Sequence, residues 1–143
     1  MSGKRELLDL VMIIDDHDIS NFMAQQVIIN SNIASRSVIQ PAGFSAINYL
    51  KKYKDRKDFI PEVIFLDIDM PVLDGFEFIE RFVKLPEEIT AHCKIVILSA
   101  HDKMKEMKKW MDDGTVIYYI IKPLTPFILE EFKRSQAYRQ LLK

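Results

Sequence analysis

One cysteine, Cys93, stands in the whole sequence, so no disulfide framework holds this fold together. The opening MSGKRELLDL lacks the long apolar stretch of a secretion signal, and the expected location is the cytoplasm. Nor does any apolar run approach the roughly 20 residues of a membrane span, the longest breaking after about six. An excess of either charge is also missing. With 20 basic and 21 acidic side chains the net charge is -1, which offers no global field to gather nucleic acid or an anionic membrane. The lysines at 103, 105, 108 and 109 and the KKYKDRK segment are offset by Glu106, Asp112, Asp113 and Asp55, and read as solvated helix faces. Glycine and proline are sparse, at 4 and 6, beside 48% apolar and 29% charged residues, which excludes collagen-like, low-complexity and disordered chains. No internal repeat is visible. The 143 residues are therefore expected to form one domain, 1–143, with no output domain, because residues 124–143 suffice only for a last helix.

What is present is an alternation of short apolar runs with longer amphipathic stretches. The runs Leu10 to Ile14, Ser37 to Gln40, Val63 to Leu66, Lys94 to Leu98 and Val116 to Ile121 read as five strands. Four of them are continuous and rich in Val and Ile, as strands covered on both faces of a parallel sheet are. Between them, Ile19, Phe22, Met23, Gln26 and Val27 trace a helical stripe behind an Asp18 cap, and Phe76, Ile79, Phe82 and Val83 trace another after Gly75. Phe44, Ile47 and Leu50 mark a further helix, Met104, Met107 and Trp110 a fourth, and Ile128, Phe132 and Leu142 a fifth. KLPEEITAH, Lys84 to His92, reads as a long loop. Such alternation predicts an α/β fold: a doubly wound five-stranded parallel sheet with five helices, in the flavodoxin-like order 2-1-3-4-5.

Ligands of such sheets bind beyond the carboxyl ends of the strands. The first strand runs into Asp15 and Asp16, the third into Asp67, the fourth into Ser99, and the fifth into Lys122 followed by Pro123. Taken singly, an Asp there is often a helix cap and a Lys-Pro pair a turn. Together they are three carboxylates at one edge, which repel one another unless a cation is present. Oxygen donors without a His or Cys cluster indicate Mg²⁺ or Mn²⁺. Carboxylates, a divalent metal, an ammonium and a hydroxyl make a phosphoryl-transfer site, with Asp67 as the best nucleophile because DIDMPVLDG follows it with a tight Pro71/Gly75 loop.

Over essentially its whole length the chain resembles the receiver domain of two-component response regulators, of the stand-alone type. The acidic pair lies in VMIIDDHD, the phosphoacceptor in IFLDIDMPVLDG, the hydroxyl in IVILSA and the lysine in YYIIKP. The resemblance implies a phosphorylation-dependent signalling switch that takes a phosphoryl group from a sensor histidine kinase or a histidine phosphotransfer protein onto Asp67. By the same resemblance it would be no enzyme apart from catalysing its own phosphotransfer and autodephosphorylation. Asp16 and Asp67 would bind Mg²⁺ directly, Asp15 would assist through water, and the backbone carbonyl of Asp69 would be a further ligand. Ser99 and Lys122 would bind the phosphoryl group, and Tyr119 matches the aromatic switch position. Asp69 and His101, each two residues after a key position, would modulate dephosphorylation; His17 reads as loop solvation. Ser99 stands where threonine is commoner. The expected surface for a downstream protein, or for a phosphorylation-dependent homodimer, is the fourth helix, fifth strand and fifth helix. Neither nucleic acid nor membrane is an expected partner.

Two rivals share parts of this pattern. Haloacid-dehalogenase-type phosphatases also end a strand in a nucleophilic Asp with a second Asp two residues on, but place the nucleophile first and the acidic pair last, whereas Asp15 and Asp16 precede Asp67. An interaction module with the fold but without phosphorylation would have lost an active-site residue, and none is missing here.

Overall fold

The structure, a computed structural model, describes residues 5–70 and 73–143; Pro71 of the expected loop lies outside the described residues. Five strands, β1 (Leu8–Ile14), β2 (Ala34–Gln40), β3 (Val63–Asp67), β4 (Lys94–Ser99) and β5 (Val116–Ile121), pair in parallel in the order β2-β1-β3-β4-β5. Because successive side chains of a strand point to opposite faces, the sheet supports two apolar layers. Met12, Ile14, Ile64, Leu66, Ile95 and Ile97 face one way, and Val11, Ile13, Val63, Phe65, Val96 and Leu98 the other.

The first layer is covered by α2 (Gly43–Lys52), α3 (Gly75–Phe82) and α5 (Met104–Asp112), through Leu50, Phe78, Phe82, Met107 and Trp110. The second is covered by α1 (Asp18–Asn30), α6 (Pro126–Arg134) and α7 (Gln136–Leu141), through Ala24, Ile28, Leu129, Phe132 and Tyr138. Local chemistry sets the helix starts. The Asp74 carboxylate accepts from the Glu77 amide at 2.9 Å to open α3. Thr125 does the same for the Ile128 amide ahead of Pro126, the first residue of α6. Gly114, at φ 85°, takes the left-handed turn that releases the chain from α5 into β5.

Among the described residues, seven α-helices replace the five read from the sequence. Lys84 to His92 is not all loop, since Glu87–Thr90 forms the single turn α4 and buries Ile89. The last helix is two: the Ser135 hydroxyl donates to the Phe132 carbonyl at 2.6 Å and accepts from the Tyr138 amide at 3.2 Å, ending α6 and capping α7. A further correction concerns α1, whose buried face is Asn21, Ala24 and Ile28, leaving Ile19, Phe22 and Met23 exposed at 76%, 60% and 60%. Asp18 is its first helical residue; the cap position is His17, whose side chain makes no capping bond. Apolar residues lie nearly all round this helix, so spacing alone does not choose its inner face.

Candidate functional site

Each parallel strand delivers its last residue to the same edge, and the residues singled out from the sequence meet there. Asp67 ends β3 and Ser99 ends β4, both buried, while Asp15 follows β1 and Lys122 follows β5. Adjacent loops are tied together by backbone bonds: the Ile68 amide to the Leu98 carbonyl at 3.1 Å, and the Lys122 amide to the Ser99 carbonyl at 2.8 Å. The Lys122–Pro123 peptide bond is cis.

Lys122 is the hub. Its ammonium lies 3.1 Å from Asp15 Oδ2 and 3.5 Å from Asp67 Oδ2, although 107 residues separate Lys122 from Asp15 in sequence. Burial works against that ammonium, but Asp67 and Asp15 outweigh it and hold its pKa above the ordinary lysine value. For Asp67 the balance runs the other way. Burial raises its pKa above the ordinary carboxylate value, more than the Asp69 amide (3.0 Å to Oδ1) and Lys122 lower it, with Asp15 and Asp69 adding to the rise. A buried carboxylate held with its neighbours against one shared ammonium is a group that gains from further positive charge.

Asp15 Oδ1 accepts the His17 amide at 2.9 Å, which fixes the turn after β1. Asp16 is more open. Ligand atoms of Asp15, Asp16 and His17 lie within 4.8 Å of one another, with His17 Nδ1 3.7 Å from Asp15 and 3.6 Å from Asp16. These carboxylates, beside the burial-strained Asp67, suit a hard divalent cation that prefers oxygen. Cys93 contributes nothing here, being wholly buried with its thiol pKa pushed up by burial.

On the β4 side, Ser99 Oγ accepts from the His101 amide at 3.1 Å. His101 itself is exposed, and its visible work is done by its backbone, not its imidazole. Tyr119 is half-buried on β5; its hydroxyl donates to the His101 carbonyl at 2.7 Å and accepts from the Lys103 amide at 2.6 Å.

Three participants were not read from the sequence as such. His17, which the sequence suggests only as loop solvation, donates its amide to Asp15. Asn21, 3% exposed, donates through Nδ2 to the Asp15 carbonyl at 2.8 Å and so supports the β1 turn from α1. Its spacing of three from Ala24 and seven from Ile28, on the true inner face, was the available signal. Lys103, taken for a solvated charge, has its ammonium 3.6 Å from Asp69 Oδ1.

Residues 11–132 match the response regulator receiver domain family, and the chain belongs to it. It is thus a receiver domain of two-component signalling. A two component response regulator from Cytophaga hutchinsonii superposes with a TM-score of 0.80 at 28% identity, covering 94% of this chain and 97% of that one. A response regulator receiver protein from Dyadobacter fermentans gives 0.70 at 26% identity, with 86% and 93% covered. In Dictyostelium discoideum, hybrid signal transduction histidine kinase I is 24% identical over 139 residues; that match takes in 95% of this chain but 8% of the kinase's length. Among the described residues, no helix is long and apolar enough to cross a membrane.

Proposed function

We propose that Asp67 is the phosphoacceptor and that the chain works as a switch set by its phosphorylation. The observation that carries this reading is the Lys122 ammonium shared between Asp67, at 3.5 Å, and Asp15, at 3.1 Å. An oxygen of Asp67 attacks the phosphorus of a phosphohistidine on a sensor kinase or histidine phosphotransfer protein. The P–N bond breaks, its electron pair returns to the imidazole, and an aspartyl phosphate remains. Lys122 and the Ser99 hydroxyl meet the charge that builds on the phosphoryl oxygens. Water later attacks the same phosphorus, releasing inorganic phosphate and restoring the carboxylate.

Asp15, Asp16, Asp67 and the backbone carbonyl of Asp69 would hold Mg²⁺, or Mn²⁺ in its place. When bound, that ion supplies positive charge to the phosphoryl oxygens. The readout surface is the face of α5, β5 and α6, where Met104, Ile121 and Phe127 are exposed and Tyr119 reaches the loop ahead of α5. It would receive a downstream protein or a second phosphorylated copy.

Acetyl phosphate with Mg²⁺ provides the test, read by intact mass. One phosphoryl group on the wild-type chain and none on Asp67→Asn is expected. Equal phosphorylation of Asp67→Asn would overturn the assignment, and sustained turnover of a small phosphomonoester would favour a phosphatase instead.

A further inference from the structure

The amide N–H of Ala100 and the Ser99 hydroxyl converge on one oxygen, and that oxygen belongs to Asp69. Ala100 N lies 3.2 Å from Asp69 Oδ2, the firmer of the two contacts, and Ser99 Oγ lies 3.4 Å from it. The other oxygen, Oδ1, faces the Lys103 ammonium at 3.6 Å. Among the described residues, the partners of this carboxylate thus come from the end of β4 and the segment that leads from it into α5. Meanwhile the Asp69 backbone stays on the Asp67 side, its amide donating to Asp67 Oδ1 at 3.0 Å. A side chain anchored beside the phosphoacceptor therefore reaches across to a two-donor cradle on the neighbouring strand end.

A phosphoryl group carried by Asp67 would need that cradle, because Ser99 is the hydroxyl at hand and Ala100 the amide that points with it. The phosphoryl group brings three acceptor oxygens and roughly -1.5 to -2 charge, so it and the Asp69 carboxylate repel and cannot share the donors. Asp69 is free to leave: its side chain is about one-third exposed, at 32%.

We propose that the Asp69 carboxylate is a built-in stand-in for the phosphoryl group, occupying the Ser99–Ala100 donors in the unphosphorylated chain and yielding them when Asp67 is phosphorylated. The inference rests on Asp67 being the acceptor. It makes Asp69 an internal competitor that keeps the loop ahead of α5 ordered before any signal arrives. Tyr119 holds the far end of that loop, at His101 and Lys103. The competition weakens apparent phosphoryl binding by the fraction of time the cradle is filled.

The 143-residue chain labelled with ¹⁵N, as wild type and Asp69→Ala, tests this with and without beryllium fluoride, a mimic of the acyl phosphate. Without the mimic, the Ala100 amide is expected to exchange about tenfold faster in Asp69→Ala, since its acceptor is gone. At saturating Mg²⁺, the variant is expected to bind beryllium fluoride about tenfold more tightly. Asp69→Asn, which removes the charge but keeps an oxygen able to accept from the same two donors, is expected to gain less than Asp69→Ala. An unchanged Ala100 amide, or an equal gain in the two variants, overturns the proposal. A wild-type chain that takes up neither phosphate nor beryllium fluoride counts against Asp67 as acceptor, whereas normal uptake with an unaltered Ala100 amide counts against Asp69 alone.

Discussion

Tyr119 Oη donates to the backbone carbonyl of His101 across 2.7 Å, joining the middle of β5 to the loop that leads into α5. The same oxygen accepts from the Lys103 amide at 2.6 Å, so one phenol makes two hydrogen bonds to the backbone of that loop. Tyr119→Phe keeps the ring, which packs beside the core layer under α5, and removes both bonds. A loss of about 1–2 kcal/mol is expected from thermal or urea melts. The Lys103 amide should exchange faster, with shift changes confined to residues 99–110 and β5. Unaltered exchange at Lys103 would show that the latch holds nothing.

Metal binding should separate Asp16 from His17, although both lie in the same 4.8 Å group. Mg²⁺ prefers oxygen and binds imidazole poorly. The His17 side chain is 76% exposed, so little holds it in place. Calorimetric titration should show Asp16→Ala losing Mg²⁺ affinity by more than about tenfold, since even losing an outer-shell partner of a ligand costs roughly 10–100-fold, while His17→Ala stays close to wild type. Equal losses would make His17 a ligand.

The raised pKa of Asp67 has a stability consequence whose sign can be worked out. Burial makes the folded chain hold the Asp67 proton more tightly than the unfolded chain does. The stability this contributes is full below the ordinary carboxylate range and is lost as pH rises through the raised value. At neutral pH without divalent metal, the ionised side chain is therefore a burden on the fold. Asp67→Asn should raise the melting temperature by a few degrees at neutral pH, with the gap closing in acid. The gain is modest because Lys122 then keeps only Asp15 as its close partner. A gap that widens in acid would contradict the assignment.

Gly75 tests the support beneath the phosphoacceptor loop. Its amide donates to the Ile68 carbonyl at 3.2 Å, and a Cβ placed there would lie 2.5 Å from the Ile68 Cα, a backbone atom that cannot turn aside. Gly75→Ala should cost about 1–3 kcal/mol, the usual range for forced overpacking. Chemical denaturation would read it as a lower midpoint at unchanged slope. Phosphorylation of Asp67, one residue before Ile68, should slow in parallel.

Much of this protein was written in one dimension. Val63 to Leu66 and Ile95 to Leu98 are continuous apolar runs, as strands buried on both faces are. Once five such runs alternate with helices, handedness and packing leave few strand orders. Because parallel strands all end at one edge, the placing of Asp15, Asp67, Ser99 and Lys122 followed from where their runs stop. The starts of β1 and β2 were less legible. Leu8 to Asp9 and Ala34 to Arg36 mix apolar with polar residues, and their strand state comes from pairing, Leu8 opposite Ala34 and Leu10 opposite Arg36.

Tertiary structure decided the remainder, and in each case the reason is a partner far away in sequence. Which face of α1 is inward depends on the sheet it packs against, since apolar side chains lie on both sides of the helix. Lys103 is one lysine among several until the fold sets it beside Asp69, 34 residues earlier. Asp69 is marked in the sequence only by its place two residues after Asp67; that its carboxylate meets Ser99 and Ala100 depends on the bond from the Ile68 amide to the Leu98 carbonyl, which brings its loop against the end of β4. Strand ends are local properties of the chain, set by where apolar side chains give out. The contacts between loops that tune a site depend on how closely two backbones approach, and only the packed sheet sets that distance.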